Sequence, residues 1–490
     1  MKKLLVIVVA VATVLSLRPF AQDAAPNARG AIDAAVAAMG TMTLQSVQYS
    51  GTGSVDPTGQ AFTTGGPWPR FTVTKYTMSV NYAVPAMRQE LVRVDDQRPT
   101  RGGGAGGFNP ATGQGGIRPI PGDIIQNQTT DGRTEAGALN IWLTPHGFLK
   151  GAAANIATAT VSTVRGKRVI TFTAGKHTVS GTLSDRNLVE RVETRIDISF
   201  TGDTLMEGIY SNYRDIGGVQ YPMHLVMQQG GFPILELTLT DVRPNSPAAL
   251  EVAANPQRGG GPAGAAPAQT EARPAPERIA DGVWFMTPGE EGSILVEFND
   301  HLVMVEGPGN DAQTMAALTN AKIVAPNKPV KWVINTHHHA DHAGGLRAFV
   351  AEGIPIVTHD THERYYQQQI FRSPHTLNPD RLARAPRAAI IETIKDRRVF
   401  SDGKMILEIH LLRDQPHSEG LLVAYIPRER LLIQADAFHP RPGAKPLPAP
   451  SPFTINLVEN VERLTLDVAR VVHVHGGISP YADVLRAAGR

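Results

Sequence analysis

The residues best suited to do chemistry lie in Thr336-His337-His338-His339-Ala340-Asp341-His342-Ala343-Gly344-Gly345. Imidazoles and a carboxylate at this density form either a solvated His-rich loop or a set of metal ligands. His337 and His339 are two residues apart, so in an extended segment their rings project to the same side. Asp341 and His342 follow as the chain turns. One short loop can therefore offer two ligands to one metal ion and two to a neighbour. Nitrogen and oxygen donors without thiolate suit zinc, and also iron or manganese. A purification tag is repetitive and terminal, whereas this run is internal and interrupted by Asp. Metal binding is the reading we adopt.

Two elements must hold this run in place. The apolar stretch Val330-Lys331-Trp332-Val333-Ile334-Asn335 reads as a buried strand, and Leu346-Arg347-Ala348-Phe349-Val350 as the first turns of a helix. The candidate ligands thus occupy a strand-to-helix turn.

The spacing His-x-His-x-Asp-His resembles the signature of the metallo-β-lactamase fold superfamily, and residues 337–342 match every defined position. The resemblance runs from near Glu277 to the C-terminus. It implies a four-layer αββα sandwich and three further ligands. A third histidine for the first metal is expected after a later strand. His417, in Asp414-Gln415-Pro416-His417-Ser418-Glu419-Gly420, fits, although the family more often has Gly-His-Thr there. His410 competes but lies inside a strand, where it packs or faces solvent. A bridging carboxylate is expected at the end of the next-but-one strand, where Asp436 follows Leu431-Leu432-Ile433-Gln434-Ala435. A charge ending such a run is costly unless bound or paired. The last ligand is expected just before a glycine. His473 and His475 share a face, and His475 directly precedes Gly476, leaving His473 an orienting or structural role.

The implied set is His337, His339 and His417 on one metal, Asp341, His342 and His475 on the other, and Asp436 bridging both. Every position of the set is filled, which argues for catalysis and for two divalent ions, zinc foremost with iron or manganese as alternatives. Such a pair, ~3.5–4 Å apart, supports hydrolysis by a bridging hydroxide, with Asp341 as the catalytic residue beside the nucleophile. Exported β-lactamases with this histidine pattern lack the bridging Asp, so Asp436 counts against that substrate. It is more similar to the thioesterases, lactonases and alkylsulfatases. Thioester cofactors are cytoplasmic, and export therefore points to an ester, a lactone, or a related sulfate ester or amide as the small-molecule substrate. The Pro-rich stretch from His439 to Phe453, and Tyr365, Tyr366 and Phe371, are candidate pocket walls. Two other classes remain. One is a di-iron redox enzyme of the same fold, for which no flavodoxin-like segment is found. The other is a periplasmic lipid- or ligand-binding protein with an accessory metal domain.

Chain length and composition frame the rest. With 490 residues, two or three domains are expected. The formal net charge is +2 with no basic run, which argues against a nucleic-acid groove. Lys2 and Lys3, an apolar stretch from Leu4 to Leu17 and a small residue at Ala21 read as a signal peptide over residues 1–21. Export to the periplasm or beyond follows as an expectation, with no membrane span left after cleavage and a net charge of −1. The chain has no Cys, so neither disulfides nor thiolate ligands are available.

Residues 27–243 read as a β-rich domain. It opens with a helix over Asn27–Met39 whose apolar face is Ala31, Ile32, Ala35, Val36 and Met39. Alternating strands at regular intervals then predict a curved antiparallel sheet. Asp215-Ile216-Gly217-Gly218-Val219-Gln220-Tyr221-Pro222 resembles turns in half-barrels of the periplasmic lipoprotein-carrier type. A half-barrel could hold an acyl chain, but a structural or docking role is the reading preferred. The Gly-rich stretch Arg101–Gly116 reads as a mobile loop within this domain, not as a phosphate cradle. Residues 244–276, rich in Ala, Pro and Gly, read as a linker to a hydrolase domain over residues 277–490. The expected class is therefore a multidomain α+β protein, with a half-barrel-like domain before the sandwich.

Overall fold

A computed structural model describes residues 28–94, 101–103, 123–252, 275–286, 292–439 and 450–490. The expected signal peptide and most of the expected linker lie outside these residues. So does most of the Gly-rich stretch.

The N-terminal half is built on one eleven-stranded antiparallel sheet. From one edge, the first four strands run in reverse chain order back to Ser46–Val55. That strand pairs with the last one, Phe232–Pro244, and the sheet then runs backward through the chain to the other edge at Thr160–Val164. Alternation sets which face is covered. In Val189–Ile198, Val189, Val192, Thr194, Ile196 and Ile198 are buried. Three helices cover that face. The first, Ala28–Met39, buries Ile32, Ala35 and Met39, with Ala31 and Val36 partly buried against the same core. The other two, Glu135–Trp142 and Pro145–Ala154, were not expected from the sequence. Each begins with a threonine side-chain cap: Thr134 accepts from Gly137 N and Thr144 from Gly147 N. Their apolar faces are short and rich in Ala and Gly, which conceals their period. Phe148 and Leu149 are fully buried under the sheet. A Cβ at Gly181 would lie 2.2 Å from the Phe148 ring, so these helices fill the curve tightly. At the far end of the sheet's last strand, Pro247–Leu250 forms a helical turn at the start of the stretch read as linker. Asn81 Nδ2 donates to Leu250 O and Val252 O there.

The C-terminal half is the expected αββα sandwich. A seven-stranded sheet starts at Glu277–Ala280 and ends at Ile391–Ile394. A six-stranded sheet follows, from Arg397–Ser401 to Ile478–Pro480. Val303, Val305, Ile334 and Val357 from one sheet meet Leu407, Leu422, Ile433 and Val472 from the other in a single apolar layer. Strands buried on both faces read as continuous apolar runs, and that is how they stood out in the sequence. Helices Pro452–Arg463 and Tyr481–Ala487 cover the outer face of the second sheet. Helices Asp311–Val324 and Leu346–Ala351 cover the first, and their apolar cluster continues into the N-terminal core. The two halves are also joined by hydrogen bonds. Ser199 Oγ donates to Gly309 O at 2.9 Å, and the Asp203 carboxylate accepts from the backbone N–H of Thr376 and Leu377.

One buried histidine in the N-terminal core gives a testable linkage. His146 is fully buried, its Nδ1 2.8 Å from Thr41 Oγ1 and its Nε2 3.1 Å from Gln220 O. Burial pushes its pKa down to about 4. The unfolded side chain titrates near 6.5, so below that pH the unfolded chain takes up a proton that the folded one refuses. Stability therefore falls as the pH drops from 6.5 toward 4. Between pH 7 and pH 4.5 the parent should lose about 2.5 kcal/mol more than His146→Gln, measured by urea unfolding. Equal losses would show that His146 is not the group responsible.

Candidate metal centre

The candidate ligands sit where strands of the two sheets end on one edge of the sandwich. Val330–Ile334 delivers Asn335 to His339, and Ala340–Ala343 is a single helical turn carrying Asp341 and His342. Leu431–Gln434 ends two residues before Asp436, and Arg470–His473 two before His475. His417 lies on the loop between Ile406–Leu411 and Leu422–Ile426. All seven residues expected from the sequence are brought together. His337, His339, His417 and Asp436 form one group and Asp341, His342, Asp436 and His475 the other, with donor atoms in each within 4.8 Å of one another.

The spacing fits small cations. Donors ~2.0–2.1 Å from a tetrahedral ion stand ~3.3 Å apart. Here His417 Nε2 is 3.0 Å from His337 Nε2 and 3.1 Å from Asp436 Oδ2. In the second group, His342 Nε2 is 3.1 Å from Asp436 Oδ2 and from His475 Nε2, and 3.4 Å from Asp341 Oδ2. Asp436 belongs to both groups, as a bridge requires. A further sign is His339. Its Nε2–H donates to Ala61 O at 2.8 Å, which leaves Nδ1 buried without a hydrogen-bond partner. A buried lone pair held open in this way is the state in which a histidine binds metal.

Electrostatics separate the two groups. Burial drives His337 well below the usual imidazole range and His339 down to about 3, so both rings are neutral and ready to ligate. In the second group burial also opposes charge on the imidazoles, but nearby carboxylates outweigh it. His342 is raised well above its ordinary value by Asp341, Asp436 and Glu306, and His475 is pushed up to about 9, chiefly by Asp436. Asp436 itself is driven well below the carboxylate range despite burial, by His475, His342 and His417. The carboxylates of this group thus favour positive charge at the position where bound cations would supply it.

Access is one-sided. The side chains of His337 and His417 are 0% exposed, whereas Asp341 keeps 22% and His475 16%. Among the described residues, the exposed side of the centre is at Asp341 and His475.

Several supporting residues escaped the sequence analysis. Glu306 is fully buried. Its Oε2 accepts from His342 Nδ1 at 2.7 Å and its Oε1 from Thr336 N at 2.8 Å. That fixes the His342 tautomer with Nε2 facing the ligands. Glu306 and Asp436 both hold a left-handed backbone, at φ 79° and 61°, which costs a non-glycine residue of order 1 kcal/mol or more. The reasoning that found Asp436, a carboxylate ending an apolar strand, applies equally to Glu306. His338 faces away from the ligands toward Ser418 Oγ, at 3.2 Å. Tyr366 does not form a pocket wall. It is fully buried, and its hydroxyl donates to Asn335 Oδ1 and approaches His337 O, because an irregular turn at Tyr366–Ile370 rotates it inward. Phe371 packs on its ring, and Tyr365 stands edge-on to His338. His473 is held between Gln434 Nε2 and Ser479 Oγ, and His410 is buried beside Glu408, so neither joins a group. His439 lies 3.6 Å from Asp436, and Phe453 packs against His417, but residues 440–449 of the proposed wall lie outside those described.

Residues 286–475 match the family model of the metallo-beta-lactamase superfamily. Among solved structures, the chain is similar to a metallo-beta-lactamase from Pontibacter korlensis at 18% identity, over 44% of this chain and 96% of that one, with a TM-score of 0.33. It is also similar to the metallo-beta-lactamase FIM-1 from Pseudomonas aeruginosa in its mono-zinc form, at 16% identity, over 45% and 96%, with a TM-score of 0.33. No curated protein matches the chain.

If Glu306 orients His342, Glu306→Ala should weaken metal binding by about 10–100-fold while the fold persists. Chelator-competition titration of the apo-protein measures this. Unchanged affinity would leave Glu306 a structural role only.

Proposed function

We propose that this chain, whose C-terminal domain has the metallo-β-lactamase fold, is an exported dinuclear metal-dependent hydrolase of an ester, a lactone, or a related sulfate ester or amide. The observation that carries this reading is the convergence of seven ligand-type side chains into two groups sharing Asp436. A protein using the fold only as scaffold has no need to bury so many ionisable groups unpaired by Lys or Arg. His337, His339 and His417 would hold one ion, Asp341, His342 and His475 the other, and Asp436 both. When bound, two divalent cations supply Lewis acidity and a nucleophilic water at neutral pH.

The chain's own groups do the rest. Neutral His337 and His339 offer lone pairs without first losing a proton. Glu306 and the Ala61 carbonyl hold His342 and His339 in the ligating tautomers. Asp341, partly exposed at the mouth, would orient the attacking nucleophile. Burial of the first group excludes bulk water from the side opposite the mouth. Asp436, in the bridging position, favours an ester or lactone over a β-lactam. The apolar N-terminal stretch supports export. The all-nitrogen-and-oxygen donor set supports zinc.

Untagged protein should carry two equivalents of zinc by elemental analysis and hydrolyse members of a panel of lactones, carboxylic esters and sulfate esters. Asp436→Ala and His342→Ala should each lower kcat/KM by roughly 10²–10³-fold or more. Undiminished activity in both variants would overturn the dinuclear reading. Two equivalents of iron with an optical spectrum would replace hydrolysis by redox chemistry.

A further inference from the structure

The segment between the strands Ser46–Val55 and Phe71–Asn81 leaves the N-terminal sheet and ends against the metal centre. Its base is braced on its own domain. Arg70 Nε donates to both Asp56 carboxylate oxygens, at 3.2 and 3.3 Å, and Trp68 stacks on Phe232 with ring centroids 5.2 Å apart. Its tip makes three successive bonds to the other domain. Gln60 Nε2 donates to Asp341 Oδ1 at 3.1 Å. Ala61 O accepts from His339 Nε2 at 2.8 Å. Phe62 O accepts from Glu419 N, two residues past His417, at 2.8 Å. Residues 101–103 clamp this tip. Gly102 N donates to Pro416 O and Gly103 N to Gln60 O, and a Cβ at Gly102 would lie 2.5 Å from Gln60 O. The described part of the Gly-rich stretch is thus a fitted clamp, with glycine where only glycine fits, on the strap formed by residues 56–70.

We infer that Gln60 and the Ala61 carbonyl are positioning groups of the metal centre, so that the N-terminal domain completes the site and is not an accessory carrier. This rests on the metal-binding reading above. Other contacts between the halves, among them Ser199 Oγ to Gly309 O, Asp203 to Thr376 and Leu377, and Asn378 Nδ2 to Asp197, do not end on a ligand side chain. The strap instead ends on ligand side chains, one from each group. Gln60 holds its place although, among the described residues, its buried Oε1 has no partner. Docking alone does not call for that cost. By fixing Asp341 and the His339 tautomer, the strap presets one ligand for each ion. It also covers the first group and leaves the Asp341–His475 side as the mouth.

The test is stepwise Co²⁺ and Zn²⁺ titration of full-length apo-protein, read by chelator competition and by the Co²⁺ absorption spectrum. Gln60→Ala should weaken one of the two equivalents by about 10–100-fold and shift its Co²⁺ bands, leaving the other as in the parent. Gly59→Ala should perturb the remaining equivalent by displacing Ala61. Gly59 has φ +72°, and a Cβ there would lie 3.0 Å from Ala340 Cβ. The inference is overturned if Gln60→Ala binds both equivalents like the parent. It is also overturned if both equivalents weaken together in step with a lowered Tm, the mark of packing alone. A parent that binds no metal overturns the metal-binding reading itself, which separates the two failures.

Discussion

The rest of the structure answers to one constraint, the burial of carboxylates among imidazoles with no Lys or Arg beside them. Asp436 and Glu306 are within 2% of fully buried. A bare carboxylate there would cost several kcal/mol. It must be met by protons on histidine or by cations. His342 and His475 provide the first solution, their rings driven toward the charged form by Asp341 and Asp436. Divalent ions would provide the second.

The sandwich exists to hold that arrangement still. Two sheets pressed together through branched aliphatic side chains leave their strand ends little freedom. Asp436 and His475, each two residues beyond a strand end, and His337, three beyond, inherit the rigidity. Two of the non-glycine residues with positive φ, Glu306 and Asp436, lie at the centre itself. That strain is retained because surrounding bonds over-determine the position, among them Thr336 N to Glu306 and Gln434 Oε1 to the amides of Ala437 and Phe438.

The N-terminal domain changes meaning in this light. The reading preferred for its sheet is a structural or docking role, and helices Glu135–Trp142 and Pro145–Ala154 occupy the covered face. What it presents to the metal centre is the segment over residues 56–70, stiffened by an Asp56–Arg70 pair and an aromatic stack. A shared apolar cluster makes the two halves one packed body at this junction.

Sequence by itself determined the ligand types, their spacing and the fold that carries them. His337, His339, Asp341 and His342 are adjacent in the chain, and their register on a strand-to-helix turn follows from local geometry. Asp436 and His475 were legible because the family resemblance expects a carboxylate and a His-Gly pair after those strands, and a charge ending an apolar run supports the first. The two helices under the N-terminal sheet were not legible, since Ala, Gly and Pro dilute their period. Neither was the inward turn of Tyr366, which depends on an irregular turn and not on residue type. Tertiary structure alone decided that Gln60 and Ala61 belong to the centre. They stand some 280 residues from the ligands they touch. One acts through a backbone carbonyl, which every residue possesses and no sequence pattern can mark.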